Sequence, residues 1–387
     1  MAEKMTSINP KILIWAREVS GTTLQEAEEK FGKDKITAWE SGNDFPTYSQ
    51  LKSLCEFYRK PVVVCFFPEP PRMKNIVASC RTLPEEMSHI FSRHLVKTID
   101  EARVMQLNLY ELNDNTNPVR TKLTNFTFSP DIKEAAKQLR DILGVTLDKQ
   151  KELKRLDETF EYWRDCFYNI GIYVFKTAFK DMSVSGFCLY DTEFPIIYIN
   201  NSFALSRQIF TLFHEIYHLM NQTSGIDIFN DSELNKHLIE QNGTIEKNCN
   251  KFAGTFLVPD DDFKKLTLNK NPTDELIQRL AGLYSVSREV ILRKFLDYGR
   301  ISSQEYTERS EIYLQDYFRS LDTKKDNQKS SGNYYNTQAT YKGRHYLELA
   351  FKSYYAQKIN LVQLSTYMNM KIPSVRSLAE KKGWGTL

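Results

Sequence analysis

No stretch of this sequence is apolar for long enough to cross a bilayer, so no membrane span is expected. The opening residues, MAEKMTSINPKILIWAREVS, carry a lysine but lack a continuous apolar core and a small-residue cleavage site. They do not read as a secretory signal, and a cytoplasmic location is expected. There is no CxxC pair. The six cysteines, Cys55, Cys65, Cys80, Cys166, Cys188 and Cys249, are scattered in the manner of reduced, mostly buried thiols, which argues against a disulfide framework and against a cysteine-based zinc site. Charge of one sign is also missing: 52 Lys+Arg against 49 Asp+Glu leave a net charge of +3, so any nucleic-acid contact must be argued from a local surface. No internal period suggests a repeat array.

What is present is the profile of a globular chain, 41% hydrophobic and 26% charged over 387 residues, long enough for two or three domains. From Asn9 to Pro71 the apolar spacing predicts short amphipathic helices: Ile12, Trp15, Ala16 and Val19; then Leu24, Ala27 and Phe31; then Ile36, Ala38 and Trp39. The breakers Ser41-Gly42-Asn43 and Pro46 precede a further helix through Leu51, Leu54 and Tyr58, and Phe66-Phe67-Pro68-Glu69-Pro70-Pro71 closes the segment. Longer helices are expected between 84 and 170, through Met105 and Leu109 and through Ala135 and Leu139. The period then changes to that of strands at Ile172-Tyr173-Val174-Phe175, Val184 to Leu189, and Pro195 to Ile199, which implies a small sheet. Helices resume after Pro259, interrupted by a polar stretch from Asp322 to Gly343 that reads as a linker or long loop.

Directly after the expected sheet comes Phe210-Thr211-Leu212-Phe213-His214-Glu215-Ile216-Tyr217-His218-Leu219-Met220. On a helix, histidines four apart project from nearly the same face, while Ile209, Leu212, Ile216 and Leu219 bury the opposite side. Neutral imidazole nitrogens suit zinc, and a catalytic zinc site takes three protein ligands and leaves one position for water. Glu215 follows the first histidine and is placed to take the proton of that water as general base. The best candidate for the third ligand is Glu246, 28 residues after His218, on a segment whose buried stripe is Phe252, Phe256 and Leu257. Asn250, one turn further, would hydrogen-bond the outer nitrogen of a ligating histidine. His237, in the polar stretch between the two motifs, reads as a loop residue. The competing interpretation of His214 and His218 is a structural pair with no metal.

The sequence resembles the ImmA/IrrE family of zinc-dependent peptidases in the form fused to an N-terminal XRE-type helix-turn-helix. The resemblance rests on Ser185-Gly186-Phe187, Phe194-Pro195-Ile196-Ile197, Arg207 to Leu212, the segment His214 to His218, and Glu246 to Pro259. It implies His214, His218 and Glu246 as ligands of Zn2+, Glu215 as base, and site-specific cleavage of a protein substrate such as a repressor of a mobile element or stress response. Ala16-Arg17, Trp39-Glu40-Ser41-Gly42, Pro46-Thr47 and Leu51 carry the XRE likeness, but only Lys33 to Ala38 lie between Phe31-Gly32 and Trp39, which shortens the helix that would enter the major groove. Lys33, Lys35 and Thr37 are the contacts available to DNA phosphate or to a docked protein, and docking is the preferred use.

The expected fold is therefore α+β and mostly helical. Residues 1–71 form an XRE-like helix-turn-helix domain, 72–320 a zincin-like metallopeptidase domain with a small sheet, 321–343 a polar linker or loop, and 344–387 a small helical C-terminal region. The alternative functions are a DNA-binding regulator with a sensory peptidase-like domain and a protease effector of the toxin or phage-defence kind, for which an antitoxin-like partner would be the substrate.

Overall fold

In the computed structural model the described residues are 3–70, 92–119, 126–228, 233–327 and 334–384. The chain divides into two compact units, Met1–Arg103 with Phe179–Asp181, and Val104–Ala178 with Met182–Leu387. The architecture is α+β and mostly helical, with one four-stranded sheet among the described residues. No helix among them is long and apolar enough to cross a membrane.

The first unit begins with helices Pro10–Val19, Leu24–Phe31, Lys35–Glu40 and Tyr48–Tyr58, followed by a 3-10 turn at Val62–Phe66. Their ends are set by local chemistry. Asn9 accepts from Lys11 N, and Thr23 with Glu26 and Thr47 with Gln50 form capping boxes that satisfy otherwise orphaned amide groups. Leu13, Ala16, Ala27, Ile36, Trp39, Leu51, Leu54 and Tyr58 make the core, and Arg17 pairs with Glu40 at 2.7 Å. Pro71, where the proline-rich close was expected to end, lies outside the described residues.

In the second unit the strands are β1 (Tyr173–Thr177), β2 (Val184–Leu189), β3 (Ile196–Asn200) and β4 (Gly225–Ile228), in the order β1-β3-β2-β4. β1 runs parallel to β3, while β2 is antiparallel to both β3 and β4, with an irregularity between Val184 and Gly186. Every residue of β2 and β3 is buried, so these strands read as continuous apolar runs instead of alternating ones. β4 was not expected: four residues, one of them Gly225 and one Asp227, are too short a run to show a period.

Two helices carry the candidate ligands, the motif helix Leu205–Met220 and the downstream helix Glu233–Leu257. Ile209, Leu212, Phe213, Ile216 and Leu219 of the motif helix are buried, each contributing about 1.5–3 kcal/mol relative to exposure. Phe213 stacks on Phe256 of the downstream helix at 4.2 Å, and Trp163, from helix Leu156–Tyr168, meets both rings edge-on at 5.0 and 5.6 Å. This aromatic cluster holds the two helices at a fixed separation and thereby sets the distance between the side chains on their facing surfaces. His237, expected in a loop, falls within the downstream helix.

The polar stretch expected as a linker differs most from expectation. Helix Ser303–Asn327 runs into it and helix Tyr334–Lys342 occupies its end; residues 328–333 between them lie outside the described residues. The cause is Arg164, which is 4% exposed and donates to three carbonyls: Val174 O of β1 at 2.8 Å, Thr340 O at 2.7 Å and Tyr341 O at 3.0 Å. A buried guanidinium must find acceptors, and here it takes the free carbonyls at the end of a helix. Gly343 admits the contact, since a Cβ there would collide with the guanidinium. The C-terminal helices Arg344–Tyr355, Leu361–Tyr367 and Ile372–Lys382 complete the chain.

Candidate metal centre

His214 and His218 stand one turn apart on the motif helix, their ring centroids 5.4 Å from each other, and both are buried. Glu246 reaches them from the downstream helix. Its Oε2 lies 3.1 Å from His214 Nε2 and its Oε1 3.3 Å from His218 Nε2. Asn250 Oδ1 lies 3.1 Å from His214 Nδ1, and as an acceptor it selects a proton on Nδ1, which directs Nε2 at Glu246. Thr223 Oγ1 is the neighbour of His218 Nδ1, at 3.5 Å. The four residues His214, Glu215, His218 and Glu246 named from sequence thus occupy one locality, with Asn250 beside them. Lys33, Lys35 and Thr37 belong to the other unit and are exposed; the Thr37 hydroxyl donates to Glu28 Oε1 at 2.6 Å.

The electrostatics of the group are those of buried imidazoles set among carboxylates. Burial works against charge on the His214 ring, but the carboxylates of Asp227, Glu246 and Glu215 outweigh it and push the imidazole up to about 10. Burial likewise opposes charge on Glu246, yet hydrogen bonds with His214 and His218 and their positive charge hold its carboxyl well below the usual carboxylate range. Glu215 is fully buried, and burial pushes it up to about 7 in spite of the two imidazoles. Its Oε1 accepts the backbone N–H of Asp227 at 3.1 Å, while Oε2 is buried without a hydrogen-bond partner among the described residues.

Several members of the site were not singled out from sequence. Asp227, on β4, accepts from Arg207 Nη2 at 2.8 and 2.7 Å and from Thr211 Oγ1 at 2.9 Å, and its Oδ1 lies 4.0 Å from His214 Nδ1. Arg207 Nε also reaches Ser185 Oγ of β2 at 3.2 Å, so one side chain ties the start of the motif helix to β2 and β4. Two glycines set the close approaches: a Cβ at Gly186 would strike Thr211, and one at Gly225 would strike the His218 ring. Cys249, expected as an ordinary buried thiol, lies with its Sγ 3.4 Å from His218 Nε2. The available signals were Cys249 three residues after Glu246, on the same helical face, and an acid set between Ile226 and Ile228.

The donor set fits a divalent ion. One ligand atom from each of His214, His218, Glu246 and Cys249 lies within 4.8 Å of every other. Nitrogen, carboxylate oxygen and sulfur are the donors zinc takes, and the buried, unpartnered oxygen of Glu215 belongs to the next residue along the helix. Residues 169–296 match the family model described as Peptidase_M78, IrrE N-terminal-like domain. The match covers less than half of the chain, and it takes in all four strands, the motif helix and the downstream helix. It supports the ImmA/IrrE resemblance for this domain and a metallopeptidase type of function. No curated protein matches the chain.

Proposed function

We propose that this chain is a zinc-dependent endopeptidase that cleaves a specific protein substrate. The observation that carries the reading is the convergence of His214, His218 and Glu246 from two helices, with Glu215 held beside them, inside the stretch that matches a peptidase family. His214, His218 and Glu246 hold the ion, and Asn250 keeps the His214 proton on the outer nitrogen. The ion supplies Lewis acidity toward a carbonyl oxygen and toward water. Asp227 N–H fixes one oxygen of Glu215, which leaves the other to take a proton from the attacking water as the new C–O bond forms. The same proton then passes from Glu215 to the departing amide nitrogen as the C–N bond breaks. A carboxylate held beside the site is the group suited to both transfers.

The substrate class we assign is a repressor-like or antitoxin-like protein. The N-terminal unit, read as an XRE-type helix-turn-helix, selects that partner through the surface around Lys33, Lys35 and Thr37. Two features favour a docked protein over DNA there: the helix Lys35–Glu40 spans only six residues, and Thr37 spends its hydroxyl on Glu28. Tight, sequence-selective duplex binding in a mobility-shift experiment would reverse that preference.

Glu215→Gln tests the catalytic assignment. The variant is expected to retain about one zinc per chain, as a three-ligand site requires, and to lose cleavage by about 10²-fold or more. Incubating both proteins with host lysate and mapping new termini reads the result; equal cleavage by the variant removes Glu215 from the role of base.

A further inference from the structure

The site holds one donor more than the three named from sequence. Cys249 lies one turn after Glu246 on the downstream helix, is fully buried, and faces the same imidazoles. Its Sγ is 3.4 Å from His218 Nε2, while Glu246 oxygens lie 3.1 Å from His214 Nε2 and 3.3 Å from His218 Nε2. Donors sharing one tetrahedral ion stand about 3.3 Å apart when both bonds are about 2.0 Å, and about 3.5 Å apart for an imidazole nitrogen at about 2.0 Å and a thiolate sulfur at about 2.3 Å. These three separations fall close to those edges, and one ligand atom from each of the four residues lies within 4.8 Å of every other.

We propose that the Cys249 thiolate is a fourth protein donor to the divalent cation held by His214, His218 and Glu246, which makes the site selective for thiophilic ions such as Zn2+ and Co2+ over Mg2+ and Mn2+. The proposal rests on the reading of this group as a cation site. Charge supports it: two anionic donors, Glu246 and Cys249, match the charge of one dication placed between two buried histidines. Coordination exchanges the S–H bond for a sulfur–metal bond and releases the thiol proton to the buffer. With four protein donors, water would join as a fifth partner only during turnover, as zinc allows. The rival use of this thiol is a hydrogen bond to His218 that has nothing to do with metal.

Cobalt separates the two. Metal-free full-length protein is titrated with Co2+ and its absorption recorded for wild type, Cys249→Ala and Cys249→Ser. Wild type is expected to show the visible d–d bands of bound cobalt together with an intense near-ultraviolet thiolate-to-cobalt charge-transfer band. Both variants keep the visible bands and lose the near-ultraviolet one, and their cobalt Kd rises by at least the about tenfold that losing even an outer partner of a ligand costs. Visible bands without the charge-transfer band in wild type, or persistence of that band in Cys249→Ala, overturn the proposal while leaving the cation site standing. If wild type shows neither set of bands, the cation site fails and the proposal with it. The wild-type spectrum alone reports whether sulfur is bound, so the test survives a variant that does not fold.

Discussion

At the scale of single residues, the carboxylates around His214 favour its protonated form. His214, pushed up to about 10, remains an imidazolium throughout the neutral range and donates toward Glu246 on one side and Asn250 on the other. A cation must take the place of that proton. Because the raised value lies above neutral pH, protons compete with metal at every pH below it, and affinity strengthens as pH rises. Zinc Kd is expected to fall by about tenfold or more per pH unit between about pH 6 and about pH 8, with the binding heat depending on the buffer's ionisation enthalpy. Titration calorimetry in two buffers measures both; a Kd flat across that range would show that His214 gives up no proton on binding. At this scale the sequence was informative where chemistry imposes spacing. Histidines four apart and an acid on a later helix declare themselves, whereas Arg207, Asp227 and Gly225 act through contacts between segments that are not adjacent in sequence, and no local pattern reveals them.

At the scale of elements, the three strands β1, β2 and β3 were legible because each is an apolar run bounded by turns, and the motif helix because its buried stripe recurs at helical spacing. β4 was not, being short and carrying a buried acid. The helix Tyr334–Lys342 was missed for a different reason. Its sequence, Tyr334-Tyr335-Asn336-Thr337-Gln338-Ala339-Thr340-Tyr341-Lys342, is polar, and among its described side chains Ala339 is the buried one. What places it is Arg164, a cation on a helix far away in sequence that bridges its last carbonyls to β1. Arg164→Met retains the aliphatic volume and deletes the donors, taking this partner from the buried Val174 carbonyl and from the half-buried bonds to Thr340 O and Tyr341 O. It is expected to destabilise the protein by about 2–3 kcal/mol in urea unfolding and to expose the segment 334–342 to hydrogen exchange before the sheet opens. Unchanged stability and unchanged protection of that segment would mean that the bridge does not anchor the helix.

At the scale of the whole molecule, the chain joins a helical N-terminal unit with its own core to a larger unit that contains the sheet, the candidate metal site and the C-terminal helices. Net charge is balanced, and in the first unit Lys33, Lys35 and Thr37 are exposed, the face proposed above for a docked protein. In the larger unit Trp163, Phe213 and Phe256 pack the two helices so that the His214–His218 face meets Glu246 at a separation suited to one ion. Anomalous diffraction at the zinc absorption edge, from crystals of the zinc-loaded protein, tests this most directly. The account predicts a single strong peak bounded by His214 Nε2, His218 Nε2 and the Glu246 carboxylate. Zinc bound elsewhere, with that position blank, would contradict it.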